Sequence, residues 1–544
     1  MDTPLRLPTG AVAEWTTIPA LFAARARDAA ARRDIEIAGR AISYGELDVQ
    51  SAAVAANLHR LGVRKGDRVA SLQQNDLEQV LVWLGANRIG AIWVPMNAGL
   101  VGDDLAYTLR DAAPKVLVVG AELHERVLAV GEFGFACQVF VAAPADPNLR
   151  SFTELLAPAD PAPAVAVAAA DPAVIIYTGG TTGLPKGAVL PQFAWIAAGY
   201  RFIQAFRVQP TDRYLSVLTL YHVGGLMLGL LGPVMAGIPT HIEKRFSVAS
   251  FWERVRATGA TIIDPVGSMV PLLLQQPESP LDRAHQVRAM INGAAQAPAG
   301  TRERFTSRFG VPMVNLYSLT ECGGVLIVNN PVDSTQPEAN GQGWGWAEVG
   351  VVDEHDVPVA PGTIGQIVLR PRLPHIFMSG YHNNPQRSLE TMANLWMHTG
   401  DLGYLDAAGW LYFTGRQVHW MRRRGENISA YEIESILTQH PAVREVIAVG
   451  VPSELGEEEV KVFIIPDAAH DDARPDPVAL IEWCKTRMAA FKIPRFVEFV
   501  SDFPRSATKM EIERAKLKAL PNDQAWDRER VMGRLSGAVP ARRD

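Results

Sequence analysis

Residues 173–187 of the 544-residue chain read AVIIYTGGTTGLPKG, and this stretch decides the fold. Its first five residues are apolar or aromatic, which predicts a buried strand that ends at Tyr177. Glycines let backbone N–H groups approach phosphate oxygens closely, threonine hydroxyls add donors, and a lysine adds positive charge. The stretch therefore predicts a loop that binds nucleotide phosphates, through the residues Thr178, Gly179, Gly180, Thr181, Thr182, Gly183 and Lys186.

The loop differs from a Walker A loop at two positions. Pro185 precedes the lysine, and Gly187 follows it where a Walker A loop has serine or threonine. A nucleoside triphosphate is the natural ligand for such a loop after a strand. The alternative interpretation is a flexible surface loop without a ligand.

Composition excludes several classes of protein. The chain is 48% hydrophobic and 20% charged, so it is not disordered, and its net charge of −6 argues against a nucleic-acid-coating surface. No apolar run reaches the roughly 18 residues of a membrane span, and MDTPLRLPTG at the N-terminus lacks the features of a secretory signal. The three cysteines are far apart, which excludes a disulfide scaffold or a zinc module. We expect a cytoplasmic protein.

The order of apolar segments predicts an α/β fold. Helical and strand patterns alternate from residue 1 to about 160, and again from 173 to about 415. Residues 158–172 are rich in Pro and Ala and are interpreted as a surface connection. Short β-rich pieces near 350–415 predict a small antiparallel sheet or barrel, and residues 420–520 predict a compact α+β domain.

Several further motifs follow the phosphate loop in the sequence. They are LYHVGGL at 220–226, NGAA at 292–295, NLYSLTE at 315–321, WMHTGD at 396–401, GR at 415–416, RRRGENI at 422–428 and PRSATKMEI at 504–512. Together with YTGGTTGLPKG, they resemble the motifs of the adenylate-forming superfamily, which comprises acyl-CoA synthetases, peptide-synthetase adenylation domains and luciferases. The basic residues before GEN are most similar to those of carnitine-CoA-ligase-like synthetases. The resemblance runs from about residue 15 to 520.

The resemblance implies the fold and the reaction. It implies a large N-terminal domain, residues 1–418, made of layered α/β subdomains with a small β-barrel-like part, and a small mobile α+β C-terminal domain, residues 419–544. The implied reaction joins a carboxylic acid to CoA through an acyl-AMP, with release of pyrophosphate. ATP, Mg²⁺ and CoA are the implied cofactors, and a homodimer is left open.

The resemblance also implies roles for single residues of the large domain. Tyr317 would stack on adenine, Thr320 would lie near the α-phosphate, and Glu321 would hold Mg²⁺. His222 would line the carboxylate pocket, although a histidine beside apolar residues is commonly a core residue. The remaining implied nucleotide contacts are Gly293, Ala294 and Ala295 in the adenine loop, Asn315 beside Tyr317, and Asp401 and Arg416 at the ribose.

In the C-terminal part, Lys509 is the implied catalytic lysine, with Lys516 and Lys518 as fallbacks and an ordinary surface lysine as the alternative. His419 falls at the implied hinge. Gly425 would let the backbone approach pantetheine. Arg422, Arg423 and Arg424 would meet CoA phosphates or form a solvated basic edge.

Departures from the family pattern keep other functions open. Gly179 replaces a serine, Ser318 replaces a glycine, and the spacing around Lys509 is altered. The alternatives are an enzyme that loads an acyl carrier protein, a luciferase-type oxygenase, and a degenerate nucleotide-binding relative. Asp264 would either face a cationic acid such as a betaine or serve a turn or cap. The chain length of the acid is not indicated.

Overall fold

The computed structural model describes residues 5–180, 183–266, 269–293, 300–330, 336–416, 420–423, 426–452, 458–467, 474–485, 487–488, 492–505 and 512–532. The chain divides into two compact units. The large unit comprises Met1–Gln296, Glu303–Val349 and Val368–His398. The small unit comprises Ala297–Arg302, Gly350–Ile367 and Thr399–Asp544.

Helices are distributed along the whole chain. The α-helices are α1 (Ile18–Ala29), α2 (Tyr44–Arg60), α3 (Leu77–Arg88), α4 (Gly102–Ala112), α5 (His124–Val130), α6 (Gln192–Phe206), α7 (Gly232–Ala236), α8 (Phe251–Thr258), α9 (Met269–Leu274), α10 (Thr301–Phe309), α11 (Pro385–Thr391), α12 (Ala430–Thr438), α13 (Pro477–Lys485), α14 (Arg514–Lys518) and α15 (Arg528–Met532). Short 3-10 helices span Ala121–Leu123, Phe152–Leu156, Thr320–Cys322 and Ala393–Leu395, and a π-helix spans Gly225–Leu231.

Strands alternate with these helices. They are β1 (Ile35–Ile37), β2 (Arg40–Ile42), β3 (Arg68–Leu72), β4 (Ile92–Met96), β5 (Val116–Gly120), β6 (Gln138–Ala142), β7 (Pro172–Gly180), β8 (Gly183–Pro191), β9 (Tyr214–Ser216), β10 (Thr240–Ile242), β11 (Ile262–Ile263), β12 (Ala289–Asn292), β13 (Met313–Leu319), β14 (Gly324–Asn329), β15 (Ala347–Val352), β16 (Gly365–Pro371), β17 (Gly380–Tyr381), β18 (Met397–Leu405), β19 (Leu411–Arg416), β20 (Trp420–Arg423), β21 (Glu426–Ser429), β22 (Val443–Pro452), β23 (Glu458–Pro466), β24 (Phe496–Phe499) and β25 (Trp526–Asp527).

Two sheets build the large unit. One has the order β17-β8-β7-β4-β3-β5-β6, and the other has the order β14-β13-β12-β11-β9-β10-β1-β2. From β13 to β1 the second sheet is parallel, and β14 and β2 close its edges antiparallel. Strand β5, VLVVG, is buried at every position, as expected for a parallel strand covered on both faces.

The core of the large unit centres on helix α3. Trp83 in its middle is fully buried and stacks on Trp93 of β4, with ring centroids 5.7 Å apart. The same ring meets Trp195 of α6 edge-on at 6.4 Å. Three indoles therefore tie a strand of the first sheet to two helices, because large aromatic surfaces gain most from burial.

The small unit has its own sheet, with the order β22-β23-β24-β25, and a separate β20-β21 hairpin. Its core contains Ile433, Leu437, Val446, Val462 and Ile481. A further sheet has the order β15-β16-β18-β19, in the region predicted to be β-rich. Layered α/β sheets and an α+β small unit confirm the predicted fold class. The domain boundary after residue 418 stays a prediction, since 417–419 lie outside the described residues.

The middle arginine of the basic run 422–424 is buried. Arg423 Nη2 lies 2.6 Å from Glu459 Oε2, and its Nη1 donates to the Ile493 carbonyl oxygen at 3.0 Å. The Arg423 side chain is only 2% exposed. Sequence alone assigns this arginine to CoA phosphates or to a solvated edge. In the structure it does neither, and instead joins β20 to β23.

Arg423→Met should lower the free energy of unfolding by about 3–5 kcal/mol, because it leaves the buried Glu459 carboxylate without its partner. Urea unfolding measured by far-UV circular dichroism tests this expectation. The double variant Arg423→Met/Glu459→Leu removes both charges and should recover most of the loss. An Arg423→Met protein as stable as the parent would contradict the structural role of the pair.

Candidate active site

The predicted phosphate loop is the turn of an antiparallel hairpin. β7 continues past its predicted end at Tyr177 to Gly180, and β8 begins at Gly183. Thr178 pairs with Lys186 across the hairpin, and Thr178 Oγ1 donates to the Lys186 carbonyl oxygen at 3.4 Å. The predicted strand end was wrong because main-chain pairing with β8 extends the strand into the glycines.

The base of this hairpin is fixed by a carboxylate on helix α4. Tyr177 Oη donates to Asp111 Oδ2 at 2.5 Å, and Asn383 Nδ2 donates to the Asp111 carbonyl oxygen at 3.0 Å. A Cβ on Gly187 would lie 2.7 Å from the Ile175 side chain, so a glycine is needed where the two strands pack. These contacts therefore hold the base of the hairpin in place.

Lys186 lies beside a tyrosine that no sequence motif marks. Its Nζ is 5.3 Å from the centroid of the Tyr381 ring, and β17 places Tyr381 opposite Ala188 of β8. Burial, and secondarily the nearby Arg387 guanidinium, lowers the pKa of Lys186. The lysine is thus held close to an aromatic face within the same sheet.

Tyr381 connects the hairpin to the carboxylate that was predicted to hold a metal ion. Its hydroxyl donates to Glu321 Oε1 at 2.8 Å. Burial and the neighbouring Glu321 charge raise the pKa of Tyr381, so the phenol keeps its proton and remains a donor. The structure therefore brings Lys186 and Glu321, predicted independently from two motifs, close to one tyrosine.

Thr320 and Glu321 lie in the short helix Thr320–Cys322, which forms the turn between β13 and β14. Tyr317 is on β13, where the register of the pairing with β14 shifts, and it is 6% exposed. Asn315 on the same strand donates through Nδ2 to the carbonyl oxygens of Pro337 and Ala339, at 2.9 and 3.0 Å. The predicted adenine and phosphate residues thus share one strand and its turn.

The candidate adenine loop begins next to this strand. β12 runs parallel to β13, with Asn292 opposite Asn315. A Cβ on Gly293 would lie 3.2 Å from the Leu316 carbonyl oxygen, which explains a glycine at this close approach. Ala294 and Ala295 lie outside the described residues.

His222 is half-buried and held in one orientation. Its Nδ1 accepts a hydrogen bond from the Gly224 N–H at 3.2 Å, so a neutral ring carries its proton on Nε2. A Cβ on Gly225 would lie 2.1 Å from the Thr219 carbonyl oxygen, so only glycine allows the tight start of the π-helix Gly225–Leu231. Such π segments are frequent at functional sites.

The predicted ribose residues are neighbours across two strands. Asp401 of β18 pairs with Arg416 of β19 in register. Asp401 is 4% exposed, and its backbone N–H donates to Thr399 Oγ1 at 3.0 Å. These residues belong to the small unit.

The remaining predicted residues are described in part or not at all. For Gly180, Gly183 and Arg416 the structure describes the backbone pairing only, and for Gly179 only its place in β7. Thr181, Thr182, Gly425, Lys509 and the hinge residue His419 lie outside the described residues. Lys516 and Lys518 are exposed and paired with Glu513 and Glu458, at 2.6 and 2.5 Å.

Comparison with known proteins identifies the family. The model of the AMP-binding enzyme family matches residues 21–382, and that of the AMP-binding enzyme C-terminal domain matches residues 432–509. The chain belongs to the AMP-binding enzyme family. It is 30% identical to a crotonobetaine/carnitine–CoA ligase of Salmonella paratyphi A over 86% of this chain and 92% of the relative.

Solved structures of similar proteins have the same fold. ATP-bound MatB from Rhodopseudomonas palustris superposes with a TM-score of 0.82 at 26% identity, covering 92% of this chain and 98% of MatB. The O-succinylbenzoate coenzyme A synthetase of Bacillus subtilis, in complex with AMP, gives a TM-score of 0.80 at 25% identity, with the same coverage. The predicted family, fold and reaction class, AMP-forming ligation of a carboxylic acid to CoA, are confirmed.

The described residues contain no cluster of three or more His, Cys, Asp or Glu side chains that could hold a metal ion. Within the described ranges, no helix is both long and apolar enough to cross a membrane.

Tyr381 is the functional candidate that sequence reasoning missed in this member of the AMP-binding enzyme family. Tyr381→Phe should reduce the rate of acid-dependent ATP–pyrophosphate exchange by about 10–100-fold, because a hydrogen bond to a charged group contributes about 1.5–3 kcal/mol. Tyr200→Phe is the matched control, since the Tyr200 hydroxyl accepts a bond from the exposed Glu14 backbone N–H, at 3.0 Å, and within the described residues it has no hydrogen bond to a carboxylate of the site. Equal exchange rates in the two variants would remove Tyr381 from the site.

Asp264 is fully buried and hydrogen-bonded. Its carboxyl group accepts bonds from Ser216 Oγ at 2.6 Å, the Val217 N–H at 2.8 Å and Tyr214 Oη at 3.2 Å. These bonds join β11 to the end of β9. These partners lie in or directly after another strand, so the structure shows neither a helix cap nor a local turn at Asp264, and the buried side chain is not available to a cationic substrate.

Burial raises the pKa of Asp264 from 3.8 to about 7, against the opposing effect of its hydrogen bonds. Between pH 4 and 7 the unfolded chain ionises this carboxyl while the folded chain keeps it protonated, so stability falls as pH rises through that range. The resulting loss in the free energy of unfolding should approach about 4 kcal/mol at pH 8. Asp264→Asn should flatten the pH dependence of the free energy of unfolding, measured in urea between pH 5 and 8. An unchanged slope would contradict the raised pKa of Asp264.

Proposed function

We propose that the β7-β8 hairpin, Lys186, Tyr381 and Glu321 form the site at which this ligase binds the ATP phosphates. The observation that carries the proposal is the Tyr381–Glu321 hydrogen bond, 2.8 Å long, with Lys186 Nζ 5.3 Å from the same tyrosine ring. Lys186 and Glu321 therefore both lie close to one tyrosine, and Lys186 belongs to the hairpin that carries the glycines.

The chemistry explains the need for these residue types. A carboxylate is a poor acyl donor, and converting it to an acyl-adenylate supplies AMP as the leaving group. The attacking carboxylate and the α-phosphate are both negatively charged, so the barrier is largely electrostatic. Lys186 and the hairpin amides would offset that repulsion, while Thr320 would orient the α-phosphate and His222 Nε2–H would orient the acid.

Mg²⁺ fits the donor set at Glu321. Mg²⁺ commonly takes one or two carboxylates and completes its coordination with substrate phosphate oxygens and water. Glu321 is half-exposed, and its carboxylate is oriented by the hydrogen bond from Tyr381. When bound, the ion would supply positive charge against the phosphates.

For the rest of the nucleotide, we assign the ribose to Asp401 and Arg416, which pair in register. Adenine would pack against Tyr317, with Gly293, Ala294, Ala295 and Asn315 beside it. We place adenine at strand β13 because Gly293 lies against Leu316 of that strand.

CoA is the acceptor that we propose, with Gly425 and the flanking arginines Arg422 and Arg424 at pantetheine and phosphate. Arg423 is left out because it is buried against Glu459. We also propose a cytoplasmic enzyme whose C-terminal domain, residues 419–544, rotates about His419. A homodimer is the assembly to test by light scattering.

The acid remains to be identified by its chemistry. A relative named crotonobetaine/carnitine–CoA ligase suggests acids that carry a quaternary ammonium group. Asp264 cannot recognise that group in this chain, because both of its carboxyl oxygens are engaged in the core. The panel of acids should therefore include betaines and neutral acids of matched length.

The decisive experiment is pyrophosphate release with ATP, Mg²⁺ and this panel, with and without CoA. Release with formation of an acyl-CoA is the expected result and names the acid. Release without a thioester would favour a carrier protein as acceptor. ATP binding without release for any acid would favour a degenerate relative.

The same assay tests the catalytic lysine. Lys509→Ala should lower acyl-AMP formation about 10²–10³-fold, as expected for the loss of one preorganised contact to the developing charge. ATP affinity should change little. Lys516→Ala is the control, because this exposed lysine is paired with Glu513. Near-normal adenylation by the Lys509 variant would show that another lysine acts.

A further inference from the structure

The backbone of the turn that carries Glu321 has hydrogen-bond partners at every carbonyl. Cys322 Sγ contacts the carbonyl oxygens of Leu319 and Gly324, the Gly323 N–H reaches Thr320, and the Met378 N–H reaches Glu321 at 2.7 Å. The two remaining carbonyls, those of Cys322 and Gly323, are bound by one side chain. Nη1 and Nη2 of Arg201 donate to them at 3.1 and 3.2 Å.

Arg201 is a buried cation with an unusual set of partners. It lies on α6, is 2% exposed, and has no ion pair among the described residues. Its Nε donates to the Ala197 carbonyl oxygen at 3.3 Å, and its guanidinium lies 5.8 Å from the centroid of the Trp346 ring. Burial lowers the pKa of Arg201 to about 10, so the group stays charged at neutral pH. Burying an unpaired charge is costly, and carbonyls and a ring face offset that cost here.

Close packing near the start of α6 also holds the turn that carries Glu321. Gly323 has a positive φ of 68°, and a Cβ there would lie 3.3 Å from the Ala194 Cβ and 3.2 Å from the Ile376 carbonyl oxygen. Ala194 and Arg201 are two helical turns apart and therefore lie on one face of α6. This face holds the turn by close packing at Ala194 and by two parallel hydrogen bonds at Arg201.

We propose that Arg201 is a positioning residue for Glu321. The guanidinium fixes the two carbonyls directly after Glu321, and Tyr381 fixes the carboxylate itself, so that Glu321 presents one orientation to the divalent cation of the nucleotide. Two parallel N–H···O bonds set direction as well as distance. The inference rests on the proposed function, because it concerns the metal-binding role of Glu321.

The test measures metal affinity directly. The probe is Mn²⁺, titrated by electron paramagnetic resonance into the complex of the protein with α,β-methylene-ATP. Arg201→Met should weaken Mn²⁺ binding about 10–100-fold, the usual effect of losing a residue that orients a metal ligand. Acid-dependent pyrophosphate exchange, measured with an acid from the panel, should show a matching shift in its Mg²⁺ requirement.

Arg25→Met is the matched control. Arg25 also binds two backbone carbonyls with its guanidinium, those of Val234 and Met235 at the end of α7. Both variants should lose stability, but only the Arg201 variant should lose Mn²⁺ affinity. Equal Mn²⁺ affinities in the two variants, or equal losses, would overturn the inference.

Arg201→Lys decides the question if the methionine variant does not fold. Lysine keeps the buried charge but cannot make both parallel bonds, so Mn²⁺ binding should be weakened to an intermediate degree. A lysine variant with the parent's Mn²⁺ affinity would overturn the inference. Failure of the parent to bind the nucleotide and Mn²⁺ would instead overturn the proposed function.

Discussion

The hydrogen bond from Tyr381 to Glu321 is the interaction on which the site depends. It joins two segments that are 60 residues apart in sequence, and Tyr381 also lies on the strand that pairs with the phosphate hairpin. A carboxylate near a phosphate site would repel the nucleotide, unless the carboxylate had a fixed orientation and shared a cation with the phosphates. The phenol fixes the carboxylate, and Lys186 supplies positive charge close to the same ring.

Three of the buried charged side chains, Arg201, Arg423 and Asp264, are balanced in different ways. Carbonyl dipoles stabilise the charge of Arg201, and the Glu459 carboxylate balances that of Arg423. The Asp264 carboxyl loses its charge by taking up a proton near neutral pH. Charged groups are expensive to remove from water, so such positions mark where the fold requires a specific geometry. Arg201 holds the turn of Glu321, Arg423 joins strands of the small unit, and Asp264 joins β11 to β9.

The sequence predicted the layered α/β fold and most of the site because both depend on local patterns. An apolar run before a glycine-rich segment predicts strand β7. Thr320 and Glu321 are recognisable because they stand in a motif with their neighbours in the chain. Tyr381 and Arg201 were not predicted, because their roles come from contacts made across the sheet and between α6 and a distant turn. Likewise, no sequence pattern showed that Asp264 and Arg423 are buried.

The central claim is that the carboxylate of the acid attacks the α-phosphate of ATP at this site. Transfer of ¹⁸O tests it most directly: an acid labelled in its carboxylate is converted with ATP, Mg²⁺ and CoA, and the AMP is analysed by mass spectrometry. The account predicts one ¹⁸O atom in each AMP, since an oxygen of the acid stays on phosphorus when the thiol takes the acyl group. Unlabelled AMP, or label in inorganic phosphate, would contradict it.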